Sequence, residues 1–187
     1  WYAEIDGEKF PINKEDFSYT INGNKHKFDC VVNIIHGTPG EDGYLQAYWE
    51  LIGLPYTGCN FYQSALTFNK KDCIAVLEKY GIPHAKSVYI HQNLPYDIDE
   101  ILNKIGLPCF VKPNQSGSSL GISKVHEKSE MRVALELAFK EDKEVLIEEF
   151  LDGTEVSVGV IQYKGETKIV GITEIVSHND FFDYEAK

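Results

Sequence analysis

The run Phe110-Val111-Lys112-Pro113-Asn114-Gln115-Ser116-Gly117-Ser118-Ser119-Leu120-Gly121-Ile122-Ser123-Lys124-Val125 holds the residues best suited to chemistry. Two short β-type stretches flank a small polar loop that contains no acidic residue. With little side-chain bulk, the loop's backbone N–H groups can point into one cavity and hold an anion such as a phosphate. Lys112, at the end of the incoming stretch, sets a positive charge beside that cavity. The pattern is not a P-loop, which needs G-x-x-x-x-G-K-[ST] leading into a helix. Here the loop leads into a second strand, as in a strand–loop–strand lid over phosphates. On these residues alone, a Gly/Ser hairpin turn beside an ordinary surface lysine fits equally well.

Four further segments carry chemistry-bearing residues. They are His36-Gly37-Thr38-Pro39-Gly40-Glu41-Asp42-Gly43, Leu54-Pro55-Tyr56-Thr57-Gly58, Val145-Leu146-Ile147-Glu148-Glu149-Phe150-Leu151 with Gly153 and Glu155, and Phe182-Asp183-Tyr184-Glu185-Ala186-Lys187. In the first, a carboxylate suits an ammonium group and a histidine suits a carboxylate. In the third, a strand edge can present a carbonyl, an N–H and an acidic side chain to a nucleobase. Read locally, the two glutamates also fit a solvated strand face.

Taken together and in order, the five segments resemble the D-alanine–D-alanine ligases of the ATP-grasp superfamily, whose lid reads V-K-P-x-x-x-G-S-S-x-G. Residues 1–35 add nothing to the resemblance. It implies an ATP-dependent ligase that phosphorylates one D-alanine carboxylate, whose acyl phosphate is attacked by the amine of a second D-alanine, for peptidoglycan precursor synthesis. The cofactors implied are ATP with Mg2+ (or Mn2+).

By position, Lys112 and Lys70 correspond to lysines that contact ATP. Ser118 corresponds to the loop serine that reaches toward the second D-alanine, and Lys187 to a lysine that meets substrate or phosphate. Ser116, Gly117 and Ser119 offer N–H groups to the γ-phosphate. Glu148, Glu149, Phe150 and Leu151 form the hinge around adenine, with Glu149 contributing mainly backbone, and Glu155 accepts from the ribose. His36 and Glu41 face the first D-alanine. Metal ligands are expected outside these 187 residues. Rival readings are a D-alanine–D-lactate ligase, another ATP-grasp carboxylate–amine ligase, and a non-catalytic ATP-grasp binding module.

The elements that must position these residues follow from local patterns. Asp6-Gly7 and Asn22-Gly23 mark turns between short strands in residues 1–28. Val31-Val32-Asn33-Ile34-Ile35 reads as a parallel strand buried on both faces. A helix over about 42–52 places Leu45, Tyr48, Trp49 and Ile52 on one face, and Gly53 and Pro55 stop it. Helices are expected near 61–67, 70–80, 97–105 and 129–139, the third of these opened by an Asp97 cap. Strands are expected at 87–90, 109–112, 122–125 and 145–150, with a hairpin turning at Lys164-Gly165.

An α/β start thus passes into an α+β region near residue 58. With the resemblance, this gives a partial ATP-grasp fold. Residues 1–58 are the remainder of the N-terminal substrate domain, 59–150 the central ATP-grasp subdomain, and 151–187 the beginning of the C-terminal subdomain. Because the family's remaining parts lie outside, the resemblance implies that these 187 residues alone do not catalyse ligation.

Composition narrows the partners. Apolar residues make up 43% and charged residues 25%, values typical of a globular protein. No apolar run reaches a membrane span, and the first residues do not read as a secretory signal. A net charge of −11 argues against non-specific nucleic-acid binding. Cys30, Cys59, Cys73 and Cys109 form no C-x-x-C pair and sit in or beside apolar stretches, so reduced, mostly buried thiols of a cytoplasmic protein are expected. The resemblance implies a homodimer acting on two D-alanines and ATP.

Overall fold

A computed structural model of the protein describes residues 1–176. The chain divides into two compact units, Trp1–Cys73 and Ile74–Lys187.

The first unit opens with two hairpins. β1 (Tyr2–Ile5) pairs with β2 (Glu8–Pro11), and β3 (Tyr19–Ile21) pairs with β4 (Asn24–His26), both antiparallel. Asp6-Gly7 and Asn22-Gly23 all have positive φ, the geometry of the tight turns expected of those dipeptides. Aromatic rings gather behind the hairpins: Phe17 lies edge-on to Trp1, Tyr48 and Trp49 at 5.8, 6.0 and 6.4 Å. Helix α1 (Tyr44–Leu51) buries Leu45, Gln46 and Trp49. Asn60 caps α2 (Phe61–Phe68) in a reciprocal box with Gln63, and Asn69 accepts from the Asp72 N–H to open α3 (Lys70–Lys79).

Asp16 ties the second hairpin down. Lys25 approaches its carboxylate at 2.6 Å and the Ser18 hydroxyl donates to it at 2.6 Å. The Lys25 contact first, then Ser18, lowers its pKa to about 2 from an ordinary 3.8. A depressed carboxyl pKa stabilises the folded state above the unfolded value, and that stabilisation is lost as pH falls from 3.8 through about 2. The first unit of wild-type protein should therefore lose resistance to urea across this window, and Asp16→Asn should lose less. Equal acid sensitivity of the two proteins by tryptophan fluorescence would refute the assignment.

Two expectations fail in this unit. Residues 31–35 form no strand, only one parallel bridge from Val31 to Tyr56. Val32 is 71% and Ile34 82% exposed. A parallel strand is buried only where neighbours pair both edges and cover both faces. Among the described residues, only the 55–57 stretch pairs here. The cysteines also differ from expectation: Cys109 is buried and its thiol pKa is pushed up by burial, but Cys30 and Cys59 are exposed.

The second unit is built on a four-stranded antiparallel sheet in the order β5 (Ser87–His91), β8 (Glu144–Glu149), β6 (Cys109–Pro113), β7 (Ser123–Val125). Strand alternation sorts the side chains. Ile90, Val145, Ile147, Cys109, Val111 and Val125 point into the core against α4 (Ile98–Ile105) and α5 (Met131–Glu141). The Asp97 carboxylate accepts from the N–H groups of Asp99 and Glu100, capping α4 as expected. Met131, Ala134, Leu135 and Ala138 give α5 its apolar stripe. The chain ends its described part in a β9 (Val156–Tyr163) and β10 (Glu166–Glu174) hairpin that turns at Lys164-Gly165, as the sequence predicts.

Candidate functional site

The sheet face opposite the core carries the polar residues singled out above. Cross-strand register sets Ser87, Glu148, Phe110 and Lys124 side by side, with Tyr89, Leu146 and Lys112 in the next row. Phe110 and Lys112 alternate with buried Cys109, Val111 and Pro113, so the strand period itself lifts the lysine out of the core. Lys112 Nζ bonds the Glu148 carboxylate across the strands and lies 5.1 Å from the Phe110 ring centre. Lys124 Nζ sits 4.2 Å from the ring centre of Phe150, whose ring is 6.2 Å from Phe110. Two cations, one carboxylate and two aromatic rings thus share one half-buried surface, a set suited to a flat aromatic group bearing negative charge.

The neighbouring glutamate has a separate task. Glu149 Oε1 accepts the Lys86 N–H at 2.8 Å, and Oε2 stands 3.4 Å from the Lys86 ammonium. The backbone bond, more than the ion pair, holds the Glu149 carboxyl below its usual range. Its side chain is committed to the start of β5. Leu151 is 61% exposed, and Glu155 is exposed with its carbonyl accepting from Ile175. Neither is gathered into the Lys112–Glu148 cluster in this structure.

The Gly/Ser loop follows Lys112. Buried Asn114 anchors it: its N–H donates to the Glu144 carbonyl and its Nδ2 to the Glu144 carboxylate. The Gln115 N–H donates to Asp142 at 2.7 Å. A turn closes between Gly117 O and the Leu120 N–H, with Ser118 and Ser119 both at positive φ, 51° and 59°. Serine in that conformation costs roughly 1–2 kcal/mol per residue. The Ser116 hydroxyl donates to the Leu120 carbonyl at 3.0 Å. Gly121 also has positive φ and lets the loop close on α5, where a Cβ would come within 2.8 Å of Glu141 and 2.9 Å of Pro113.

Three predicted residues lie in the first unit. His36 Nδ1 is 3.9 Å from Glu41 Oε1, and Glu41 Oε2 accepts the Gly37 N–H at 2.6 Å. Both side chains are exposed on one loop. Lys70 is the first residue of α3, where a cation opposes the helix dipole. Lys187, with the rest of the segment 182–187, lies outside the described residues.

Sequence reasoning missed Lys124, Asn114, Asn33 and Gln46. The alternation Ser123-Lys124-Val125 could have placed Lys124 on the face of Lys112. No local pattern marks the other three: Asn114 bonds Glu144, and Asn33 and Gln46 both bond the Gly40 carbonyl. Among the described residues, no three His, Cys, Asp or Glu side chains converge where a metal could sit. They do not fit a magnesium site.

A four-stranded antiparallel sheet backed by two helices, with a lysine-flanked Gly/Ser loop joining β6 to β7, belongs to an incomplete ATP-grasp fold. Residues 7–59 match the family described as D-ala D-ala ligase N-terminus, and residues 76–187 match D-ala D-ala ligase C-terminus. The chain therefore belongs to the D-alanine–D-alanine ligase family. It is 65% identical over 187 residues to a D-alanine–D-alanine ligase of Flavobacterium psychrophilum, covering all of this chain and 57% of that protein. It is 62% identical to the corresponding protein of Flavobacterium johnsoniae, covering all of this chain and 58% of that one. Among solved structures, it is similar to D-alanyl-alanine synthetase A of Vibrio cholerae (TM-score 0.80, 31% identity, 95% of this chain and 55% of that one). It is also similar to the VanG D-Ala:D-Ser ligase of Enterococcus faecalis (TM-score 0.82, 36% identity, 97% and 54%). The chain spans little more than half the length of these relatives. No helix among the described residues is long and apolar enough to cross a membrane.

Proposed function

We propose that this chain is the ATP-handling and first-substrate portion of a cytoplasmic ligase that joins two D-alanines through an acyl phosphate for peptidoglycan precursors. The observation that carries the reading is the sheet face on which Lys112 and Glu148 meet beside Phe110 and Phe150. Lys112 would bond phosphate oxygens, and Lys70 would add a second cation. Glu148 would accept from the adenine amino group, with Glu149 giving backbone, Phe150 and Leu151 packing on the base, and Glu155 meeting the ribose.

Ser116, Gly117 and Ser119 would cradle the γ-phosphate, whereas Ser118 and Lys187 would serve the reacting groups. His36 and Glu41 would hold the first D-alanine. Mg2+ or Mn2+ would be held by residues other than those described. The division into residues 1–58, 59–150 and 151–187 and a homodimeric assembly belong to the same reading.

The test is D-alanine-dependent ADP formation by the full-length protein that contains this segment, with D-serine and D-lactate offered as alternative acceptors. No ADP formation with any of the three would overturn the ligase reading. Preference for D-serine or D-lactate would move it to the sister specificities. In the same assay, Ser118→Ala should raise the KM for the acceptor about tenfold, the worth of one hydrogen bond to a charged group. Ser119→Ala should be milder. A loss confined to ATP use would reassign Ser118 to the phosphate cradle.

A further inference from the structure

In the loop that carries His36 and Glu41, the Pro39 carbonyl accepts the Leu45 N–H of α1 at 3.2 Å, and the side-chain support converges on the next carbonyl, that of Gly40. It accepts two side-chain amides at once: Asn33 Nδ2 at 2.7 Å and Gln46 Nε2 at 2.6 Å. Gln46 is 4% exposed, on the inner face of α1 beside Leu45 and Trp49. Its Oε1 is buried and has no hydrogen-bond partner among the described residues. An unsatisfied buried acceptor is destabilising, so a leucine at this helix position would serve the core better. The amide is therefore tolerated for its donor. Asn33 is fixed in turn, its Oδ1 accepting from Ile35 and its N–H donating to Thr57 Oγ1.

Above the Gly40 carbonyl the loop closes on itself. The N–H groups of Gly40 and Glu41 both donate to the Gly37 carbonyl at 2.8 Å, and the Glu41 carboxylate accepts the Gly37 N–H. Only Asp42 and Gly43 separate this ring of bonds from the helix that carries Gln46. The position of the His36–Glu41 pair is thus set by a helix side chain beneath it, a more rigid support than the loop alone.

We propose that Gln46 is a positioning residue for the first D-alanine, holding the His36–Glu41 loop through the Gly40 carbonyl, with Asn33 as the second strut. The inference rests on the proposed binding role of His36 and Glu41. In the full-length ligase, Gln46→Met keeps side-chain length and apolar packing but removes the donor. It should raise the KM for D-alanine at the first site about three- to tenfold, the worth of one neutral hydrogen bond. The KM for ATP and the thermal midpoint should stay near wild type. Asn33→Ala, at a more exposed position, should shift the same KM in the same direction and serves if Gln46→Met fails to fold.

Glu41→Gln is the control for the underlying reading. If Glu41→Gln raises the D-alanine KM while the folded strut variants leave it within twofold, the positioning role is wrong. If Glu41→Gln also leaves it unchanged, the loop does not bind the first D-alanine and both readings fall. A strut variant that lowers the thermal midpoint and kcat with both KM values unchanged would mark Gln46 as purely structural and overturn the inference.

Discussion

Lys112→Ala in the full-length ligase should lower kcat/KM for ATP by about a hundredfold. A charge-assisted bond contributes roughly 1.5–3 kcal/mol, which alone corresponds to about ten- to a hundredfold. The structure moves the expectation to the upper end, because Lys112 also neutralises Glu148 on a half-buried surface. Removing the lysine leaves that carboxylate unpaired beside the proposed phosphate path, where it repels the ligand as well as losing its own partner. The double variant Lys112→Ala/Glu148→Gln separates the two contributions. It should recover part of the loss in kcat/KM, since no charge is left stranded. Unchanged ATP kinetics in Lys112→Ala would remove the lysine from the site, and no recovery in the double variant would show that the pairing is energetically idle.

Gly40→Ala should raise the KM for the first D-alanine by about a hundredfold while leaving the ATP affinity near wild type. A Cβ built at Gly40 would lie 2.3 Å from the Ile35 carbonyl oxygen and 2.6 Å from its Cβ. The nearest obstacle is backbone, so no rotamer change relieves it. The loop has to shift, and the carbonyl that Asn33 and Gln46 grip moves with it. A displacement of about 1 Å in a substrate-positioning group can cost on the order of a hundredfold. Kinetics with D-alanine varied, alongside calorimetry with ATP, checks this. A D-alanine KM within twofold of wild type would show that the His36–Glu41 loop is not a substrate support.

Local chemistry made part of this architecture readable. Asp6-Gly7 and Asn22-Gly23 turn as their residue types predict, because Asp-Gly and Asn-Gly tolerate positive φ at both centres, and the glycine alone marks the turn at Lys164-Gly165. Asp97 opens its helix by another local property, a short carboxylate that accepts from the first-turn N–H groups, and Asn60 and Asn69, which the sequence reading did not single out, do the same. Lys112 on the open face follows from strand alternation once β6 is recognised. What could not be read depends on partners far along the chain. The β-branched run at 31–35 has strand composition, yet pairing is decided by neighbours, and among the described residues only Tyr56 bridges to it. The bond from Lys112 to Glu148 links residues 36 apart, and nothing in either segment specifies it. The Gln46 donor was hidden in an apolar helix face where periodicity predicts only packing.

The aromatic cluster behind the hairpins also decides how this molecule can be watched. Its two tryptophans, Trp1 and Trp49, both belong to the first unit, one 57% exposed and one 2% exposed. Intrinsic tryptophan emission is therefore a one-sided probe. A blue-shifted, buried indole reports the hairpins and α1, while the sheet that bears Lys112 and Glu148 is dark in that channel. Denaturation followed by fluorescence and by far-ultraviolet dichroism will coincide only if both units melt together. Divergence between the two signals would read out, without any label, the independence of the two units.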